Sequence, residues 1–367
     1  MPKRALSVLG ASLLAGAVTA SAAAAAAKAS SGPPLPKAAQ RHAVQRFATG
    51  VTTPTSFAFG AGQVFEGDGG NPPEGEGNAA AAKPGGVYLL KNGTAKLLPG
   101  SPPFVAGLAW HRGTLYVSGA QFGAGGAMIS QILAWSGWNG TAFTKHRVFY
   151  TAPKNFPGFN GLAIGPDGRL YVGVSLGQGD HGSATAPYQY DILSFSLAGR
   201  GPKVFSSGIR QPWQIAFAPR DARPYVTDLG QEEGAPNPPD FVLHVREGDN
   251  YGFPQCNWTD RKACSRFAKP LASFAPHTDV GGIAIVGHRM YLSEFGMGGK
   301  PAQVIATRLE DHRGRTTDSR RQRTKPGRVS EPRTVLSGFA APIVGLGAHD
   351  GWLYVGSLDG SVYRMLL

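Results

Sequence analysis

The sequence predicts an all-β protein: a six-bladed β-propeller with four-stranded blades. Three observations predict it. One tile occurs six times, each tile comes with two further strand-like segments, and the composition suits short strands joined by tight turns. The tile is a short apolar strand containing a small residue, a turn, and an apolar–aromatic strand. It reads SFAFGAGQVFEG at 56–67, GLAWHRGTLYVSG at 107–119, GLAIGPDGRLYVG at 161–173, QIAFAPRDARPYVTD at 214–228, GIAIVGHRMYLSE at 282–294 and GLGAHDGWLYVGS at 345–357. Successive copies begin 51, 54, 53, 68 and 63 residues apart. A period of this size marks a repeat architecture.

Each tile is preceded by a short strand and a Gly/Pro-rich crossing, as in KLLPGSPPF and KVFSSGIRQP. Each is followed by one more apolar segment, such as GGVYLLKNG, QILAWSGWNG or FVLHVREG. That makes about four strands per unit. A four-stranded sheet cannot bury both faces alone, so six units stack around an axis and cover one another. Two β-sandwiches are the alternative, disfavoured by six copies of one tile. The chain ends at SVYRMLL with three strands of the last blade used, and HAVQRFAT at 42–49 is available as its fourth. That strand is expected to close the ring and remove an exposed sheet edge.

The 367 residues include 52 Gly and 29 Pro, which fits many turns, and a mean hydropathy of −0.15 argues against a polytopic membrane protein. Residues 1–29 have a basic start, an apolar stretch and a run of small residues, the layout of a secretory signal peptide. Cleavage is expected between about Ala22 and Ala29, an uncleaved anchor being the alternative. Residues 30–41 then read as a flexible linker and 42–367 as the propeller, in a secreted or cell-envelope protein with no transmembrane span after cleavage. Cys256 and Cys264 are expected to form a disulfide in that setting. The formal charge of +13 is concentrated: residues 312–333 carry eight Arg/Lys against two acids, without interleaved aromatics. This reads as a solvated loop with an anionic envelope polymer or membrane surface as a partner, and not as a nucleic-acid site.

In propellers, the loops entering the innermost strands converge on the central channel. Their polar members here include Asn155, Asn160, Arg210, Gln211, Gln214, His277, Thr278 and Asp279. Residues 226–256 add the carboxylates Asp228, Glu232, Glu233, Asp240, Glu247 and Asp249, oxygen ligands of the kind calcium takes, although solvated acidic loops look the same.

The run SSGIRQPWQIAFAP…YVTDLGQ…PPDFVLHVREGDNYGFPQC resembles the glucose/sorbosone dehydrogenase family. The likeness extends over roughly 105–367. It implies a secreted six-bladed propeller that uses pyrroloquinoline quinone (PQQ), often with calcium, to oxidise a sugar or polyol. By the resemblance, Arg210 contacts the quinone, Gln211 stands for the usual Asn, and Lys300 lies near a basic cofactor contact. Asn160 lies in the same cofactor neighbourhood. Gly230 and Gln231 match calcium-loop backbone positions and Asp240 the first carboxylate, while Phe241 replaces the second. The family's catalytic His is also missing. PGFNG puts Phe159 and Asn160 there, neither of which is a general base near neutral pH. His181, in GQGDHG, is the substitute base if its loop folds inward. Two other readings stay open. One is a propeller that binds carbohydrate or a protein without redox chemistry. The other is a metal-dependent lactonase-like hydrolase in which Asn160 ligates the metal, since FNGLAIGPDGRLYVG also resembles the gluconolactonase group.

Overall fold

The computed structural model describes residues 32–71, 83–91, 93–123, 128–177, 182, 184–199, 201–231, 238–296, 299–309 and 329–367. Two strands precede the first tile, β1 (Lys37–Ala38) and β2 (Val44–Thr49). Blade 1 is β3 (Pro54–Gly60), β4 (Gln63–Asp68), β5 (Gly86–Lys91) and β6 (Gly93–Leu97). Blade 2 is β7 (Phe104–His111), β8 (Thr114–Phe122), β9 (Met128–Trp138) and β10 (Phe143–Thr151). Blade 3 is β11 (Phe159–Ile164), β12 (Arg169–Val174), β13 (Ile192–Ser196) and β14 (Lys203–Ser206). Blade 4 is β15 (Pro212–Phe217), β16 (Pro224–Asp228), β17 (Asp240–His244) and β18 (Ala272–Phe274). Blade 5 is β19 (Val280–Val286), β20 (Arg289–Glu294), β21 (Gln303–Arg308) and β22 (Arg333–Ser337). Blade 6 has β23 (Ile343–His349), β24 (Trp352–Ser357) and β25 (Ser361–Leu366) from the C-terminal end.

Within each blade the strands pair antiparallel in chain order, and each tile forms the two innermost strands. The first strand of every blade packs against the first strand of the next, and β23 returns to β3, so the six sheets form a closed ring. The small residue of the tile makes this possible. A Cβ at Gly107 would lie 2.5 Å from the Leu162 nitrogen, and one at Gly345 would lie 2.6 Å from the Thr55 carbonyl carbon. Among the described residues the core forms six apolar seams, one between each pair of neighbouring blades, and a smaller cluster of Trp213, Phe295 and Val344 from blades 4, 5 and 6.

The fourth strand of blade 6 is β2, antiparallel to β25 with Val44 opposite Met365. Its far end also pairs in parallel with β6 through Ala48–Gly93 and Thr49–Thr94, joining blades 6 and 1 into one eight-stranded sheet. One stretch behaves differently from the expected linker. Lys37 and Ala38 form β1 against Ser337 and Leu336, covering the outer edge of blade 5. The reason is the unpaired N–H and C=O row that an outer strand offers to any adjacent chain. Cys256 and Cys264 are disulfide-bonded. Among the described residues no helix is long and apolar enough to cross a membrane. The expected signal peptide, His181 and most of the basic stretch 312–333 lie outside the described residues.

Candidate functional site

Blade 4 holds most of the residues singled out by the sequence. Its crossing into β15 places Arg210 and Gln211 side by side, both buried. The Gln211 N–H donates to Asp228 Oδ1 at 2.8 Å, and its side-chain Oε1 accepts from the Leu176 N–H of blade 3 at 2.6 Å. Gln211 therefore fastens its crossing to the segment that follows β12. Asp228 ends β16 opposite Pro212, and burial pushes its carboxyl up to about 7 despite the backbone N–H groups that favour its charge. Asp68 does the same in blade 1, opposite Pro54, accepting from the Thr53 and Gly70 N–H groups. Recurrence at one register marks this carboxylate as part of the turn's construction.

The Arg210 guanidinium is turned onto the loop after β16, where Nη1 donates to the carbonyls of Leu229, at 2.9 Å, and Gly230. The Gly230 N–H in turn donates to Asp240 Oδ1 at 2.7 Å, and the Asp279 N–H donates to Asp240 Oδ2, also at 2.7 Å. Gln231 Oε1 accepts from Asn257 Nδ2 at 3.0 Å. These bonds test the calcium expectation. A calcium ion takes six to eight oxygens, yet the Gly230 carbonyl faces a guanidinium and both Asp240 oxygens face N–H groups. Phe241 is buried in the apolar seam between blades 3 and 4. Each of these oxygens thus accepts a hydrogen bond, and among the described residues no group of three or more His, Cys, Asp or Glu side chains comes together.

Phe159 and Asn160 sit at the start of β11. Phe159 is buried in the seam between blades 2 and 3, its ring 4.5 Å from that of Phe156 and 6.2 Å from that of Tyr150. Asn160 is buried too. Its Nδ2 donates to the Pro212 carbonyl of blade 4 at 2.9 Å, and its own carbonyl accepts from Ser118 Oγ of blade 2 at 2.7 Å. Lys300 donates to the Pro276 carbonyl and, at 3.4 Å, to Thr278 Oγ1.

Arg210, Asp228, Gly230 and Gln231 line one small recess, partly open to solvent. Asn257, Trp258 and Phe253 also line it, and none of the three was singled out by sequence reasoning. Their signal was available: Asn257 and Trp258 lie between the two cysteines, whose disulfide closes this loop. Trp258 Nε1 donates to the Tyr251 carbonyl at 3.1 Å. The recess thus offers aromatic surface, two amides, a buried acid and one guanidinium. Phe159, Asn160 and Lys300 are not part of its lining.

No family model matches the chain, and no curated protein matches it in sequence. Solved structures match in fold. A glucose dehydrogenase described as a putative oxidoreductase from Thermus thermophilus is 22% identical with a TM-score of 0.68, over 89% of this chain and 100% of that one. The PQQ-bound aldose sugar dehydrogenase of Streptomyces coelicolor is 16% identical with a TM-score of 0.62, over 90% and 99%. The soluble aldose sugar dehydrogenase of Escherichia coli, solved without cofactor, is 14% identical with a TM-score of 0.65, over 89% and 99%. This chain has the fold of these dehydrogenases, the group to which the sequence resemblance points.

Proposed function

We propose that this chain is an exported propeller of the sugar dehydrogenase type that binds a small sugar or polyol at the blade 4 recess without oxidising it. The observation that carries this reading is Phe159. It stands at the position that the resemblance gives to the base, and it is built into an apolar seam. The lining of the recess carries the kinds of group that a polyhydroxylated ligand uses. Trp258 and Phe253 offer faces for C–H surface, while Gln231, Asn257 and Arg210 offer polar groups for hydroxyls. Export rests on the layout of residues 1–29 and agrees with the disulfide. Titrating the purified protein with aldoses and polyols, followed by tryptophan fluorescence, tests it. Saturable quenching is expected, lost in Trp258→Ala, with no dye reduction after PQQ is added. Failure of every sugar to bind overturns the reading.

A second reading is favoured by the names of the structural neighbours and by Arg210. Here the protein is a PQQ-linked dehydrogenase, in which the quinone would accept the hydride from the carbon that bears a sugar hydroxyl. Arg210 and Lys300 would hold the quinone's carboxylates and His181 would take the hydroxyl proton. Arg210 would first have to leave the Leu229 and Gly230 carbonyls. PQQ titration followed by absorbance separates the two: a spectral change, with sugar-dependent dye reduction abolished in His181→Ala, establishes the second and removes the first.

A further inference from the structure

The end of the ring away from the crossings carries a row of arginines at the rim between blades 5 and 6. β20 begins with Arg289 and β21 ends with Arg308, and the two are paired directly across the strands. Arg333 opens β22 one pair further in, opposite Ala306. All three are exposed. By alternation they stand on the face whose Tyr291, Val304, Ala306 and Leu336 fill the seam with blade 6. A fourth exposed arginine, Arg41, lies in the turn from β1 to β2. β1 runs antiparallel along β22 from Ser337 towards Arg333, so that turn arrives at the same rim. None of the four forms an ion pair among the described residues. Glu331 is exposed two residues before Arg333, and Asp350 of blade 6 lies 3.2 Å from His349 Nε2. Positive charge is therefore in excess here, and like charges placed directly opposite destabilise a sheet.

We propose that this rim docks a linear polymer of phosphate groups. An anion between Arg289 and Arg308 offsets the repulsion that the register builds in. Neighbouring strands are about 4.8 Å apart, so β20, β21 and β22 present their guanidinium groups at short steps, as a chain of repeated charges requires. Guanidinium forks match oxyanions bidentately. Two forks aimed at one group are served best by oxygens arranged in three dimensions, as on phosphate, and less well by a planar carboxylate. The connection 310–328, outside the described residues, leaves and returns at this rim, since Leu309 bridges Val329. The rim is defined without it. The recess of blade 4 lies at the other end of the ring, where Asp228 ends β16 opposite Pro212. A polymer held at the rim leaves that recess open, and the proposal does not depend on what the recess binds.

Calorimetric titration of the purified full chain with long-chain polyphosphate, at several salt concentrations, tests this. Saturable binding that weakens steeply with salt is expected. Replacing Arg289 and Arg308 together by Ala is expected to lower affinity about tenfold and the log–log salt slope by about two. The melting midpoint is not lowered, because a like-charge pair has been removed. Arg333→Glu, on a separate strand, repeats the test with a larger loss. Wild-type affinity in both variants overturns the proposal, as does binding that is lost only when residues 312–327 are deleted. Equal affinity for polygalacturonate overturns the assignment to phosphate. Binding to phosphatidylglycerol vesicles without binding to polyphosphate places a membrane at the rim and overturns it as well.

Discussion

At the scale of single residues, Glu66 is the sharpest departure from the repeat. It lies opposite Phe57, the register at which the other blades place Val117, Val172, Val226, Leu292 and Val355, all fully buried. Both its oxygens are buried without a hydrogen-bond partner among the described residues, across from Tyr88 and two residues from Asp68. Burial, with Asp68 second, holds the carboxyl well above its ordinary value of 4.5. The folded state therefore keeps a proton that the unfolded chain gives up, and stability is expected to fall as pH rises above about 4.5. Glu66→Val removes that dependence and, at pH 7, stabilises by about 1–3 kcal/mol, the usual penalty of an unsatisfied buried polar group. Melting curves of both proteins from pH 5 to 9 check this; parallel slopes would refute it. Phe159 makes the opposite case, an apolar residue where the resemblance expects a polar one. Phe159→Ala is expected to cost about 3–5 kcal/mol in urea unfolding, and a loss below 1 kcal/mol would remove Phe159 from the core.

At the scale of elements, the blades are tied by a recurring device. A polar side chain near the axis bonds a carbonyl of the next blade: Thr55 to Val105, Ser118 to Asn160, Asn160 to Pro212, Thr227 to Gly281 and Ser293 to Val344. Asn160 and Gln211 thus have structural work that a reading of single residues cannot separate from a binding role. A second device latches the hairpins. Tyr171 donates to Asp167, Tyr225 to Asp221 and Tyr363 to Asp359, each four residues apart. In blade 4 the latch is extended, since His244 Nε2 lies 2.8 Å from Asp221 Oδ2 and its ring stacks on Tyr225. Asp221 loses part of its solvation, but the bonds from His244 and Arg223 outweigh that and lower its carboxyl to about 2. Its contribution is present above the ordinary value of 3.8 and is lost as pH falls towards 2. Asp221→Asn is expected to cost about 1–2 kcal/mol at pH 7, discounted for partial exposure, and close to nothing below pH 2. A variant that matches wild type in denaturant melts at pH 7 would exclude the latch.

At the scale of the whole molecule, the seam between blades 6 and 1 is closed by backbone. β2 pairs with β25 on one side and touches β6 on the other, while Ala48 and Val51 enter the apolar seam with Phe57, Tyr354 and Val362. Removing residues up to Thr49 exposes that seam and two strand edges at once. The melting midpoint is expected to fall by roughly 10 °C or more, given about 2–4 °C for each kcal/mol in chains of 150–250 residues. An unchanged midpoint in calorimetry would show that the ring does not depend on β2.

The tile, its spacing and the missing last strand determined the architecture by themselves, because alternation of apolar residues and turn chemistry are local properties that six copies average over. The likeness of 207–256 to the dehydrogenases was equally legible, as was the disulfide. The site was legible only as a set of residue types. Whether Arg210 faces a ligand or a carbonyl, whether Asp240 is open to an ion or filled by N–H groups, and whether Phe159 lines a mouth or a seam depend on side-chain directions. Those are decided when distant crossings meet at the axis. Gln214 shows why: its partners Thr55 and Ala106 stand 159 and 108 residues away, and no local pattern brings them together.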